Sequence, residues 1–524
     1  MWGKLTLRLN SGPCLLSKRS CNSHSSQLAI TLLKQHKELQ LMLQRTNLIW
    51  LFGTLLLVRI IAMIVVPLAD TTEPRYAEIA RLMLTTNDWI TPWFEPNVPF
   101  WGKPPLSFWA QAIAFKLFGI NEFAGRLPAL LAFLATAWML WRLALSVVNT
   151  QVALASLVVY SGMLLTFLAA GTVMTDPFLV LGTTWAMVAF YLAPKEKYWY
   201  WRYGLFIGLG IGLLAKGPLA LVISGAPIGM WVLLQGKLMF YLRSMPWVRG
   251  ILLTLVIALP WYILAELKTP GFINYFIVGE HFMRFVDPGW TGDLYGRAHQ
   301  EPKGMIWLYW LVGSLPWGPL ALVLLIGHLF KSRWRQSLWQ AAKQPAIMYV
   351  LLWALVTPVF FTPAGNVIWT YALPSMPAFA LLMGWAMVKL NNGQKWRQLG
   401  FTIVMWLMPI GALVFSVLIA NNNDLMKTEK RIAEYVAQQP KNGNPDNWSR
   451  LYYLGAELEF SARFYSHDQA KPVRLDQLEN LAVQQQGVYV AIPAQQWETT
   501  VAHFGPRLEP RIENMRFKLA FLNP

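Results

Sequence analysis

A series of apolar runs, each roughly twenty residues long, constrains this chain more than any other feature. Each run is long enough to cross about 30 Å of hydrocarbon as a helix. Only 13% of the 524 residues are charged, whereas soluble proteins carry about a quarter. The chain is therefore predicted to be a polytopic α-helical membrane protein. Eleven spans are predicted, at 48–68, 124–145, 151–171, 175–193, 203–216, 218–235, 248–267, 305–327, 345–361, 369–388 and 399–420.

The distribution of Lys and Arg predicts the orientation of these spans. The basic residues concentrate in alternate loops, which the positive-inside rule assigns to the cytoplasm. Residues 70–123, 268–304 and 421–524 then face outward. Loop charge of this kind accounts for the net charge of +18, so we expect no nucleic-acid partner. The protein is expected to be a monomer in the membrane.

The first 47 residues differ from the rest in being rich in Ser, Lys and Arg. They are predicted to form a cytoplasmic extension that is disordered or partly helical. Cys14 and Cys21 lie in it; they allow one disulfide and lack the partner residues of a zinc site.

The first outward segment combines carboxylates and cations within a short stretch. Cations suit a phosphorylated ligand, and a carboxylate suits a general base. The alternative is a solvated loop whose charges pair with each other. The stretch carries Asp70, Glu73, Arg75, Glu78, Arg81, Asp88 and Lys103.

Further ionisable residues fall at or beyond the outer ends of the predicted spans, among them Asp176, Lys216 and Arg284. A transporter or flippase of a lipid-linked sugar is the alternative function, favoured by the number of spans alone. Such a protein is expected to carry charges near the bilayer midplane. The arrangement instead favours one outer-face cavity, where a lipid-linked substrate presents its polar headgroup.

Ordered motifs carry a family resemblance over roughly residues 48–390. They include EPRYAEIARLM from Glu73, PFWGKPPLSFW from Pro99, MTDPFL from Met174, LLAKGPLAL from Leu213 and GEHFMRF from Gly279. In these motifs the chain resembles the bacterial branch of the protein mannosyltransferase superfamily. More narrowly, it is similar to glycosyltransferase family 83 and to the lipid A 4-amino-4-deoxy-L-arabinose transferases.

The resemblance implies a GT-C fold with about eleven to thirteen transmembrane helices, here with an outward C-terminal α/β domain. It also implies transfer of a hexose or pentose from a polyprenyl (undecaprenyl) phosphate donor. The acceptor would be lipid A, another glycan or a protein, at the periplasmic face of the bacterial inner membrane.

The family usually has two adjacent acids shortly before Arg-Tyr, and the first is taken as the key carboxylate. Here those positions are Thr72 and Glu73. We therefore expect the base to be Glu73 or Asp70, with Asp176 as a second carboxylate. The alternative for Asp176 is a helix N-cap before Pro177.

Four cations are the predicted ligands of the donor phosphate, with two tyrosines as hydrogen-bonding partners. For Lys216 the alternative is snorkelling to the interface, and for the tyrosines it is packing. The six residues are Arg75, Lys103, Lys216, Arg284, Tyr76 and Tyr371.

A divalent metal at Glu280 and His281 is possible but not favoured. Relatives often carry Glu before the loop lysine, where this chain has Gly102, so one ligand would be missing. We predict a substrate-binding or structural role for both residues and no cofactor. The glycines near Gly208 are predicted to serve helix packing.

Residues 421–524 are polar and alternate between short helical and strand patterns. This alternation predicts a small α/β domain. We find no catalytic motif in it, and its predicted roles are capping the cavity, docking a partner or a structural one.

Overall fold

The computed structural model describes residues 45–287, 290–296, 300–330, 336, 339–390, 395–439, 450–455 and 457–524. Leu51–Pro524 pack into one unit. The predicted N-terminal extension, residues 1–47, lies outside the described residues except for its last three.

Each of the eleven predicted spans coincides with one helix or with two consecutive helices. Within the described residues, five helices are individually long and apolar enough to cross a membrane, and one bent pair makes a sixth. Others are shorter apolar helices of 10–17 residues. Eight of the eleven predicted spans coincide with a single unbroken helix each. These helices are Arg45–Val65, Glu122–Val147, Asp176–Leu192, Gly204–Lys216, Leu219–Leu234, Trp247–Lys268, Pro345–Phe361 and Lys395–Asn421.

Three predicted spans are interrupted. Gly162 follows the first half of the first interrupted span, Pro316 lies in the break of the second, and Pro374 lies within a 3₁₀ segment, Trp369–Ser375, in the third. Gly and Pro weaken a helix because one is too flexible and the other lacks the N–H donor. The second pair is bent by 108°. The pairs are Thr150–Ser161 with Leu164–Ala169, Met305–Gly313 with Trp317–Leu329, and Trp369–Ser375 with Met376–Leu390.

The first outward segment is more ordered than the sequence predicted. It contains the helices Thr72–Thr86 and Leu106–Phe118, with the short antiparallel strands Trp93–Glu95 and Val98–Pro99 between them. The first helix forms from good helix formers such as Ala, Leu, Met and Glu, and most of its residues are buried. Helices also occupy the second outward segment and two loops that are predicted to be cytoplasmic: Asn274–Met283, Arg284–Val286, Trp199–Arg202 and Leu238–Ser244.

Glycines fix the close packing of Asp176–Leu192 against Gly204–Lys216. A Cβ at Gly182 would lie 2.7 Å from the carbonyl oxygen of Gly208, a contact that only glycine permits. The predicted packing role of the glycines near Gly208 is thus confirmed. This contact also brings Asp176, the first residue of one helix, beside Lys216, the last residue of the other.

The C-terminal segment forms a mixed five-stranded sheet with helices. The strands in spatial order are Lys471–Val473, Leu451–Leu454, Val488–Pro493, Phe517–Leu522 and Leu508–Glu513. The first three are parallel and the last two pair antiparallel. The helices are Lys430–Ala437, Phe460–Tyr465, Leu475–Gln484 and Trp497–Phe504.

The sequence predicted each of these C-terminal elements except the strand Leu508–Glu513. That strand lies at the sheet edge, and Pro510 and exposed charged residues interrupt its apolar pattern. Proline and charges are typical of edge strands, where unpaired backbone groups face solvent.

Ion pairs join the C-terminal segment to the first outward segment. Arg516 lies 2.6 Å from Asp70, 2.7 Å from Glu429 and 3.2 Å from Glu459, and we call these four residues the Arg516 cluster. A further pair joins Arg463 to Glu95 at 2.7 Å. The C-terminal segment therefore lies on the same side of the spans as residues 70–123.

Candidate functional site

Two cavities lie side by side where the outward segments meet. The first, which we call the mixed cavity, has a volume of about 170 Å³ and combines charged residues with apolar ones such as Val222, Phe285 and Phe360. Its charged and polar residues are Lys103, Lys216, Glu280, His281, Arg284, Asn366 and Tyr371.

The second, which we call the polar cavity, has a volume of about 850 Å³. It is lined by residues from three separate parts of the chain, including the C-terminal segment. Its polar residues are Thr71, Thr72, Arg75, Tyr76, Glu95, Lys103, Glu280, Arg284, Asp293, Tyr295, Glu457, Glu459 and Arg463.

Lys103, Glu280 and Arg284 line both cavities. Glu280 lies 3.3 Å from the ammonium of Lys103 and 3.1 Å from the guanidinium of Arg284. Burial favours the neutral form of Glu280, but the two cations outweigh it and hold the pKa of Glu280 below its ordinary value. In return, Glu280 raises the pKa of Lys103 and of Arg284 against the effect of burial. The shared wall thus holds two fixed positive charges and one carboxylate.

Lys216 adds a third cation to the mixed cavity. It ends the helix Gly204–Lys216 and pairs at 2.5 Å with Asp176, which begins the adjacent helix. Its ammonium also lies 4.7 Å from the centre of the Tyr371 ring. The three predicted phosphate ligands Lys103, Lys216 and Arg284 therefore meet in one cavity, together with Tyr371.

His281 faces backbone carbonyls with both ring nitrogens. Nδ1 lies 2.7 Å from the oxygen of Phe276 and Nε2 lies 3.0 Å from that of Lys216. Burial lowers the pKa of His281, although the two carbonyl oxygens, which favour the ring with both nitrogens protonated, oppose that shift. Among the described residues, no group of three or more His, Cys, Asp or Glu is arranged to hold a metal ion. His281 has the contacts of a structural residue.

Arg75 and Tyr76 line the polar cavity and not the mixed one. Arg75 donates at 2.9 Å to the carbonyl of Tyr295 and lies over the rings of Tyr76 and Phe460. Its buried Nε has no hydrogen-bond partner, and Nε of Arg284 is in the same condition. Both of these arginines line the polar cavity, and each thus carries a buried guanidinium donor without a partner among the described residues.

Glu73 lines neither cavity. It accepts from Arg126 at 2.7 and 3.0 Å and from the backbone N–H of Val173 at 2.9 Å. Arg126 also donates to carbonyl groups at the end of the first span. Glu73 therefore joins its own helix to the helix Glu122–Val147 and to the turn before Asp176, and its predicted role as the base gains no support from this geometry.

Asp70 and Asp176 also line neither cavity. Asp70 accepts from the backbone N–H of Ser461 at 2.8 Å and belongs to the Arg516 cluster. Asp176 is the first residue of its helix and pairs with Lys216. Both carboxylates are thus held in buried ion pairs, so the proposal below does not assign them the base.

Sequence reasoning did not select the C-terminal residues of the polar cavity. Glu457, Glu459, Phe460 and Arg463 lie more than 350 positions from Lys103 in the chain. They contribute because the helix Phe460–Tyr465 contacts the first outward segment. No local motif marks them, because they acquire a common environment only through folding.

Comparison with known proteins supports the predicted class. Residues 102–264 match the family described as dolichyl-phosphate-mannose-protein mannosyltransferase. An undecaprenyl phosphate-alpha-4-amino-4-deoxy-L-arabinose arabinosyl transferase of Aeromonas hydrophila is 32% identical over 68% of this chain and 62% of its own length. The protein of the same name from Yersinia pestis is 30% identical over 62% of this chain and 56% of its own length. The chain thus spans only a little over half the length of the curated relatives it matches.

The structure is similar to that of ArnT from Cupriavidus metallidurans bound to undecaprenyl phosphate. The TM-score is 0.70 at 18% identity, over 90% of this chain and 97% of the other. The apo form of the same protein gives a TM-score of 0.68. This likeness confirms the predicted polytopic α-helical fold of the GT-C type and, with the matches above, the resemblance to the lipid A arabinosyl transferases.

Proposed function

We propose that this chain is an integral membrane glycosyltransferase. It moves a sugar from a polyprenyl phosphate donor, such as undecaprenyl phosphate, to an envelope acceptor: lipid A, another glycan or a protein. The reaction takes place at the periplasmic face of the bacterial inner membrane, and the protein acts as a monomer. The observation that carries the proposal is the wall of Lys103, Glu280 and Arg284 shared by two adjacent cavities.

The mixed cavity suits the head of the donor. Lys103, Lys216 and Arg284 surround it, and charge-assisted hydrogen bonds from such groups to phosphate are strong. Its apolar residues suit the first isoprene units, which follow the phosphate directly. As the bond from sugar to phosphate breaks, these cations stabilise the negative charge that develops on the departing polyprenyl phosphate.

The polar cavity suits the acceptor. It lies across the shared wall from the donor, so an acceptor hydroxyl in it approaches the sugar from the side opposite the phosphate. Holding both reactants in adjacent cavities lowers the entropic part of the barrier. The reaction needs no bound metal in this proposal, because the cations of the chain itself stabilise the phosphate.

The named relatives use 4-amino-4-deoxy-L-arabinose, and this pentose on undecaprenyl phosphate is the first donor to test. The purified protein is incubated with it and with lipid A in buffer containing EDTA, and a panel of other undecaprenyl-phosphate sugars and glycan or peptide acceptors follows. Transfer predicts release of one undecaprenyl phosphate per glycosylated acceptor. A transporter or flippase instead moves the intact donor across a vesicle membrane and releases none.

A further inference from the structure

The polar cavity is incomplete without the C-terminal segment. Glu457, Glu459 and Arg463 form part of its lining. They are held there by the hydrogen bonds from Ser461 to Asp70 and by the pair between Arg463 and Glu95. The C-terminal segment is therefore part of the site and not only a cover over it.

The two carboxylates nearest the proposed phosphate site are buried beside cations. Glu280 and Asp293 lie within 3.4 Å of Arg284, and their side chains are only 6% and 7% exposed. Both cations beside Glu280 favour its ionised form and hold its pKa low. A carboxylate with a lowered pKa has little tendency to take a proton from a hydroxyl.

Glu459 also pairs with an arginine, but its side chain is more exposed and its pKa is raised, whereas that of Glu280 is lowered. Glu459 lines the polar cavity, and 36% of its side chain is exposed. Burial raises its pKa, and the carboxylates of Asp70 and Glu457 add to the increase, while Arg516 opposes it. One oxygen, Oε2, lies 3.2 Å from Nη1 of Arg516, which the rest of the Arg516 cluster holds in place. A base within reach of a substrate, oriented by a third group, is a recurrent arrangement in enzymes.

We propose that Glu459 is the general base for the acceptor, supplied to the membrane site by the C-terminal segment. This inference rests on the proposed function. The hydroxyl proton of the acceptor passes to a carboxylate oxygen of Glu459 while the hydroxyl oxygen bonds to the anomeric carbon of the sugar. The bond from that carbon to the phosphate oxygen breaks, and its electron pair leaves with polyprenyl phosphate.

The test compares release of undecaprenyl phosphate by the wild type and by Glu459→Gln, with the donor and acceptor that the wild type uses. We expect kcat to fall by about a hundredfold or more, with the KM of the donor unchanged. Glu479→Gln, which removes an exposed C-terminal glutamate paired with Arg507, should retain the wild-type rate. Unchanged kcat in Glu459→Gln, or a larger loss in Glu457→Gln or Glu95→Gln, would overturn the inference.

Two further measurements separate a base from a structural residue. The wild-type kcat should fall on acidification as Glu459 gains a proton, and the remaining rate of Glu459→Gln should lack this acidic limb. Placing a carboxylate elsewhere in the cavity by Thr72→Asp should restore part of the rate to Glu459→Gln. The same acidic limb in the variant, or no gain from Thr72→Asp, would contradict the assignment. A wild type that releases no polyprenyl phosphate with any donor would instead overturn the proposed function.

Discussion

At the scale of single residues, the charges of the site are already paired before any substrate binds. Lys103 and Arg284 share Glu280, and Lys216 pairs with Asp176. Such pairing keeps cations charged in a buried place, where unpaired charges would be costly. In the proposed function, a phosphate therefore joins cations that are already held in pairs.

Lys103→Ala should reduce transfer by about ten- to a hundredfold, because a hydrogen bond to a charged group contributes about 1.5–3 kcal/mol. Release of undecaprenyl phosphate measures the rate. Lys268→Ala is the matched control, since Lys268 is a lysine of the outward side that pairs with Asp88 and is 41% exposed. Equal rates in both variants would remove Lys103 from the phosphate site.

The Asp176–Lys216 pair permits a separation of stability from function. Asp176→Asn alone leaves a buried cation without its partner and should destabilise the protein by about 3–5 kcal/mol. The double variant Asp176→Leu, Lys216→Met should recover most of that stability in thermal unfolding but not the transfer activity. Recovery of both would leave Lys216 with a structural role alone.

At the scale of elements, the apolar spans could be predicted and their interruptions could not. The thickness of the bilayer sets the length of a spanning helix, so any apolar run of that length predicts a span. The break at Gly162 depends on the neighbours that each half-helix contacts, which no local pattern reveals. The helix Thr72–Thr86 was missed for a related reason, because its many charges resembled a solvated loop although Glu78 and Arg81 pair within it.

Docking of the C-terminal helix Phe460–Tyr465 depends on the Arg516 cluster, in which one guanidinium faces three carboxylates. Burial raises the pKa of Glu429 to about 7, with Asp70 adding to the shift and Arg516 and Asn514 opposing it. The folded state then binds this proton more tightly than the unfolded state, so stability falls as pH rises from about 4.5 to about 7.

Hydrogen exchange in residues 457–465 should therefore be slower at pH 5.5 than at pH 8, after correction for intrinsic exchange. Glu429→Gln mimics the protonated form and should remove most of this difference. An identical pH dependence in the variant would show that another group controls the docking.

At the scale of the whole molecule, the sequence predicted which segments meet but not all the residues they contribute. Lys103, Lys216, Glu280 and Arg284 were recognisable because they lie at or beyond the outer ends of predicted spans and within the motifs that carry the resemblance. The contribution of Glu459 was not, because the contact that holds its segment at the site, from Ser461 to Asp70, crosses almost 400 positions of sequence. The contact of Glu73 with Arg126 was not predictable either, because Arg126 lies 53 positions away on another helix.

The predicted orientation follows from loop charge alone and concerns the entire molecule. A reporter that is active only in the periplasm should be active when fused after Asn421, at the end of the helix Lys395–Asn421. A fusion within the loop of Lys237 is the control and should be inactive. The opposite pattern of reporter activity would show that the site faces the cytoplasm.

The central claim is that the protein transfers a sugar onto an envelope acceptor at the wall that the two cavities share. Mass spectrometry of envelope lipids and glycans tests it most directly, in cells that carry the gene, lack it, or carry Lys103→Ala. The account predicts a species heavier by one sugar residue in the wild type, lost without the gene and strongly reduced in Lys103→Ala. Identical spectra from all three cell lines would contradict it.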